Sequence, residues 1–403
     1  MKIERIEAKS IPDTRGKPTV EVTLHAGELS ARASVPSGKS TGSHEAKELR
    51  DADGGVETAV ANVTGEIARE IALRDFASAD ELDTFLIALD NTPDKSRLGA
   101  NAILGVSIAA QRLFAQQAGV PLWKAIAERA KTTPGAPRLY VNVMNGGVHA
   151  DFRLPFQEYI LVCEGKTSSA LATARAAFEK LGAELPSIML GTGGDVPMGD
   201  EGGYSPTFDT LEKPFELLAA LAAEHSGTSI AIDAAANELR DGKSNYILLK
   251  KTYAPNELGM IYHTLVERFP FHSIEDPFSE DATQDFVRLT DALRGKCLVV
   301  GDDFTVTNPE RIEAAREAGA ITAVLIKPNQ IGSVKEAIEA VEATHDAGWA
   351  AICSHRSGET MDTFIADFAY GVGAHGIKAG GLGQKQRLEK YERLLEIEKE
   401  AER

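Results

Sequence analysis

The chain has 403 residues, 43% of them hydrophobic, enough to bury more core than one ordinary small domain contains. Its 60 acidic against 43 basic residues give a formal charge of -17, which argues against sequence-independent binding to nucleic acid or anionic membrane, since both need basic surface. The three cysteines, Cys163, Cys297 and Cys353, are widely spaced and form no CxxC pair, which points to a reducing, cytoplasmic setting and away from a disulfide framework or structural zinc.

At the start, MKIERIEAKS is broken by charges where a signal peptide is apolar, and no apolar stretch is long enough to span a bilayer. Alternation over Thr19 to Leu24 and again over Ala31 to Val35 predicts strands of an antiparallel sheet. Helical spacing follows over Asp80 to Leu89 and Ala100 to Ala118, and KTTPGAP from Lys131 to Pro137 has linker composition. A small α+β domain over residues 1–130 is therefore expected, with a second domain over residues 138–403. There, short apolar runs alternate with helical patterns: Ser229 to Ile232, His272 to Ile274, Leu298 to Val300, Ala323 to Ile326, Ala350 to Cys353, and Gly376 to Ile377. Such alternation predicts a parallel sheet, either closed or open.

The position of the reactive side chains favours closure. The runs end at or near Asp233, Glu275, Asp302, Lys327, His355 and Lys378, and a β/α (TIM-like) barrel gathers the carboxyl ends of its strands around one mouth. An open sheet spreads them along a crevice. Each acid alone reads as a helix cap. Brought together, each close pair repels by about 4 kcal/mol at roughly 4 Å and an effective dielectric of about 20, and a hard, oxygen-loving cation such as magnesium resolves that repulsion. Lys327 and Lys378, exposed lysines if isolated, would here lower each other's proton affinity and leave one as a neutral base. Arg356 and Ser357, in SHRSGE, offer a fork, a hydroxyl and backbone N–H groups suited to phosphate. Gln157 and Glu158 in FQEY, and Asp200 and Glu201 in GDEGG, add polar groups, although GDEGG on its own is more often a plain turn.

Taken together, PSGKSTGSHEA, KSRLGANAILGVS, NVMNGGVHADFRLPFQE, GDEGGYSP, SIEDPF, GDDFTVTNP, IKPNQIGS and SHRSGETMDTFIADF resemble the enolase family over nearly the whole chain. The resemblance implies reversible, magnesium-dependent dehydration of 2-phosphoglycerate to phosphoenolpyruvate in glycolysis or gluconeogenesis. It implies that Asp233, Glu275 and Asp302 hold one magnesium, and that Ser40, in a mobile loop, helps bind a second that arrives with substrate. Lys327 is then the base, Glu201 with Glu158 the acid, and His149, Gln157, His355, Arg356, Ser357 and Lys378 the substrate contacts. A homodimer is also implied. Three departures stand out: Lys39 where the family has alanine; AGG and QKQR after Lys378, ending at Arg387; and Glu396 in place of an arginine that pairs with a glutamate matching Glu21, which sets two acids face to face. The rival readings are a non-catalytic relative of the same fold and a related lyase acting on another phosphorylated carboxylate.

Overall fold

The computed structural model describes residues 1–39, 42–191 and 195–402. Strands β1 (Arg5–Pro12), β2 (Pro18–Ala26) and β3 (Leu29–Ser34) form an antiparallel sheet in that order. The charge-broken start is therefore an edge strand: β1 is the sequence RIEAKSIP, exposed or half-buried along its whole length. Helix Ala100–Ala118 packs on β2 and β3. Gly105 allows that approach, because a Cβ there would sit 2.7 Å from Cγ2 of Val22. Helix Ala79–Asp90, capped by Ser78 accepting from the Glu81 N–H, matches the expected helix to within a residue at each end.

The remainder closes into an eight-stranded barrel. Its strands are β4 (Arg138–Asn145), β5 (Glu158–Cys163), β6 (Thr228–Asp233), β9 (Phe271–Glu275), β10 (Leu298–Gly301), β11 (Ala323–Ile326), β12 (Ala350–Ser354) and β13 (Gly376–Gly380), and a separate ribbon is formed by β7 (Tyr246–Leu248) and β8 (Lys251–Tyr253). Around the barrel the order is β10-β11-β12-β13-β4-β5-β6-β9. Tyr140, Ile160, Val300 and Leu325 are among the side chains that fill its interior.

Two features correct the sequence reading. The six apolar runs are all strands, but β4 and β5 were not among them, and β5 runs antiparallel to both neighbours. The cause is the connection between them. Residues 146–157 contain only a short 3-10 turn, Gly147–Ala150, and without a crossover helix the chain can only double back. This reversal has a functional consequence, since β5 delivers its first residue, Glu158, to the mouth where parallel strands deliver their last.

Among the described residues no helix is long and apolar enough to cross a membrane. The two acids expected to face each other between subunits each have a cation within the chain. Glu396 accepts from Arg393 at 2.9 Å, and Glu21 lies 3.0 Å from Lys9 and 3.8 Å from Arg32.

Candidate active site

Register places three acids in one row at the mouth: Glu158 is opposite Asp233 across β5 and β6, and Asp233 is opposite Glu275 across β6 and β9. Lys378, on β13 and 2% exposed, reaches into this row. Its Nζ donates to both oxygens of Glu275 at 2.8 Å and to Asp233 at 3.2 Å, and lies 3.1 Å from Glu158 Oε2 without a hydrogen bond to it. Burial and the Asp233 charge push Glu275 well above the usual carboxylate range despite Lys378. Gln157 Nε2 donates to Asp233 at 3.2 Å.

At the next wall, Asp302 accepts from Lys327 Nζ and, at 2.9 Å, from Gln330 Nε2. Asp276 fixes this turn by accepting from the N–H groups of Asp302 and Asp303 at 2.9 and 2.8 Å. Mutual lowering of the two lysines does not dominate. Burial lowers Lys327, as do Arg356 and Lys378, yet Asp302 outweighs them and its pKa ends raised; Lys378 is also raised, by Asp233, Glu158 and Glu275 acting against burial. The carboxylates that touch each lysine, and not the other lysine, decide its charge.

The facing wall holds Glu158, Glu201 and His355, which can bring ligand atoms within 4.8 Å of one another. Burial would raise Glu201, but His149 and the charges of Arg387 and Lys378 bring it down to about 2. His149 Nε2 lies 3.5 Å from Glu201, and Nδ1 lies 3.6 Å from Asp200, too far for a hydrogen bond. Burial opposes charge on His149, but these carboxylates raise it. His355 is held neutral, well below its ordinary range, by burial and by Arg387.

Arg356 is buried and ion-paired with Glu45 through two contacts of 2.9 and 3.1 Å. Ser357 Oγ accepts from the Lys39 N–H at 2.7 Å. Arg387 holds this segment from behind: fully buried, it bonds His355 Nδ1, the Arg356 carbonyl at 3.2 Å and the Ser357 carbonyl at 2.9 Å. Glu45 and Gln330 lie within PSGKSTGSHEA and IKPNQIGS, the family-like stretches, but nothing in their spacing marks them as site residues. Arg387 is marked by spacing, since it heads the stripe Arg387, Lys390, Tyr391, Leu394 and Ile397 that helix Lys385–Ala401 buries at helical spacing.

The side chains given site roles from sequence line one cavity, except that Glu275 lies against Lys378 and Ser40 lies outside the described residues; Asp200 does not line it. Carboxylates as the anionic donors, with no thiolate, suit a hard cation. The second compact acidic group among the described residues, Asp276, Asp302 and Asp303, shares Asp302 with the expected ligand set.

A closed barrel whose mouth sets buried ammonium groups against paired carboxylates has the groups that a proton-moving enzyme needs, and acids that could hold a hard cation. Residues 3–126 match the family description "Enolase, N-terminal domain" and residues 135–403 match "Enolase, C-terminal TIM barrel domain". The chain belongs to the enolase family. It is 42% identical over 419 residues to the enolase of Thermococcus kodakarensis, covering 99% of this chain and 95% of that one. It is 41% identical over 414 residues to the enolase of Methanopyrus kandleri, covering 99% and 96%.

Proposed function

We propose that the chain is a hydro-lyase that reversibly dehydrates 2-phospho-D-glycerate to phosphoenolpyruvate and water. One observation carries this reading. β11, which Lys327 follows directly, and β5, which begins at Glu158, are four strands apart in either direction around the barrel, so Lys327 and Glu158, with Glu201 beside it, line opposite sides of one cavity. Elimination needs that arrangement: a proton leaves C2 toward one wall while the C3 hydroxyl is protonated from the other.

Lys327 takes the C2 proton and Glu201, beside Glu158, gives one to the departing hydroxyl. Asp302 keeps Lys327 charged, and a cation held by Asp302 would weaken that restraint. Glu201, at about 2, has to be lifted before it can donate, and the negative charge of a bound phosphorylated acid acts in that direction. Arg356, Ser357 and neighbouring N–H groups receive the phosphate, with the substrate competing against Glu45 for Arg356. Lys378 steadies the carboxylate end, and His149, Gln157 and His355 shape the pocket.

Magnesium would be held at Asp233, Glu275 and Asp302, a reading supported by buried acids that outnumber the lysines touching them; the second ion expected with Ser40 falls outside the described residues. Bound there, divalent charge stabilises the extra negative charge that develops on the substrate carboxylate as the proton leaves. We further infer domains over residues 1–130 and 138–403, a homodimer, and a cytoplasmic role in glycolysis or gluconeogenesis; the three unpaired cysteines support a reducing compartment. A non-catalytic role is not favoured by the intact acid and base set.

Solvent exchange separates the two half-reactions. In heavy water, Glu201→Gln is expected to keep exchanging the C2 hydrogen while product formation falls about 10²–10⁴-fold, whereas Lys327→Ala loses both. Exchange surviving in Lys327→Ala would assign the base elsewhere.

A further inference from the structure

The 36–39 segment is held to the barrel by paired main-chain bonds between Ser37 and Gly358, 2.8 Å each, and Lys39 adds contacts on both sides of the site. Its main-chain N–H donates to Ser357 Oγ at 2.7 Å, on the side where phosphate is expected. Its Nζ reaches to the other side of the cavity, donating to Asp200 Oδ2 at 2.7 Å and to the Val148 carbonyl at 2.9 Å. Those two acceptors belong to the segments that carry His149 and Glu201, which are tied together by the Asp200 N–H donating to the His149 carbonyl at 3.1 Å. Arg387 Nη2 and Gln384 Nε2 hold the Asp200 carbonyl at 3.2 and 3.0 Å, so Asp200 is fixed by its backbone on one side and by Lys39 through its side chain on the other.

The arrangement has a direct bearing on His149. Asp200 Oδ2, the atom that takes Lys39, is the same atom that approaches His149 Nδ1 without bonding it. The buried Nδ1 has no hydrogen-bond partner, and Nε2 faces Glu201. Released by Lys39, Asp200 would be free to close on Nδ1 and turn the ring away from Glu201. The lysine thus keeps the carboxylate off the histidine and the histidine on the acid.

We propose that Lys39 is a positioning residue for the dehydration, fixing Asp200 and Val148 so that His149 and Glu201 keep their places at the cavity wall. The proposal rests on the functional reading above. The contact is 44% exposed at Lys39 and 38% at Asp200, so its effect is moderate and salt-sensitive.

Initial-rate kinetics and amide hydrogen exchange of the full chain test it together. Lys39→Ala is expected to lower kcat by about tenfold, a change of about 1.4 kcal/mol, with a smaller change in KM. Lys39→Arg should restore most of the rate. Asp200→Asn should cause a similar loss, and the double variant should lose no more than the worse single one, because both remove one contact. Exchange over residues 147–151 and 199–203 should quicken in Lys39→Ala and not in Lys39→Arg. Unmoved exchange, a loss confined to KM, equal rates in the alanine and arginine variants, or additive losses would each overturn the proposal. If the unmutated chain forms no product, the functional reading fails and takes the positioning role with it. If it turns over normally and the variants do too, only the role of Lys39 fails.

Discussion

Replacing Lys378 with methionine removes the one cation among the described residues that touches Glu158, Asp233 and Glu275 together, at 3.1, 3.2 and 2.8 Å. At an effective dielectric of about 20 each such pair is worth roughly 5 kcal/mol of gross attraction, and several kcal/mol of that goes to desolvating a buried ammonium. What remains visible on truncation is the cost of leaving the acids uncompensated, about 3–5 kcal/mol. Urea unfolding of Lys378→Met in chelator should therefore show that loss. Millimolar magnesium should recover part of it, because a cation among the same oxygens takes over the neutralising role. The deficit should also shrink as the pH falls toward 5. Uncompensated carboxylates take up protons more readily folded than unfolded, so acid favours the folded variant. A loss below about 1 kcal/mol, or one that magnesium does not alter, would refute the view of Lys378 as the charge that balances this row.

Arg387→Met should cost about 2–3 kcal/mol in chemical denaturation, since a buried charged donor to His355, Arg356 and Ser357 is lost, and should raise KM for the phosphorylated substrate; unchanged values would free this arginine of a supporting role. Gly380→Ala should lower the melting temperature and activity together. Its φ is +87°, and the added Cβ would lie 2.4 Å from Arg387 Cδ, so wild-type values would show that the segment behind the mouth yields freely. At the opposite end of the strands, His272 and His375 share an Nε2–Nε2 contact of 2.9 Å, with Arg138 3.4 Å from His375 Nδ1. Burial, Arg138 and His272 hold His375 down to about 4, so between about 6.5 and 4 the unfolded chain binds the extra proton. The stability from this group is complete above about pH 6.5 and is lost as the pH falls toward 4. His375→Gln should flatten that part of the melting curve against pH, and an unchanged slope would assign it to other groups.

Most of the barrel could be read in the sequence because a parallel strand is a short apolar run between helical patterns, and six strands have that form. β4 and β5, RLYVNVMN and EYILVC, are buried almost throughout, but no helix separates them, and alternation of strand and helix is the wrong template for a hairpin. The site was legible to the same degree. Residues at strand ends, from Asp233 to Lys378, could be assigned to one mouth by topology alone. Glu45 could not, because its pairing with Arg356 spans 311 positions and depends on how the first sheet docks on the barrel. The charge states were legible least. Two lysines at one mouth suggested a neutral base, whereas Asp302 against Lys327 decides the sign, and that contact is visible only in three dimensions.

The measurement that bears most directly on the account is the ultraviolet absorbance of the enol phosphate formed from 2-phosphoglycerate, followed with magnesium, with chelator, and in Lys327→Ala. Product that appears with magnesium, stops with chelator and is absent in the variant is the expected result. A folded, magnesium-binding protein that forms no product would contradict the assignment, and product at an undiminished rate in Lys327→Ala would contradict the role given to its base.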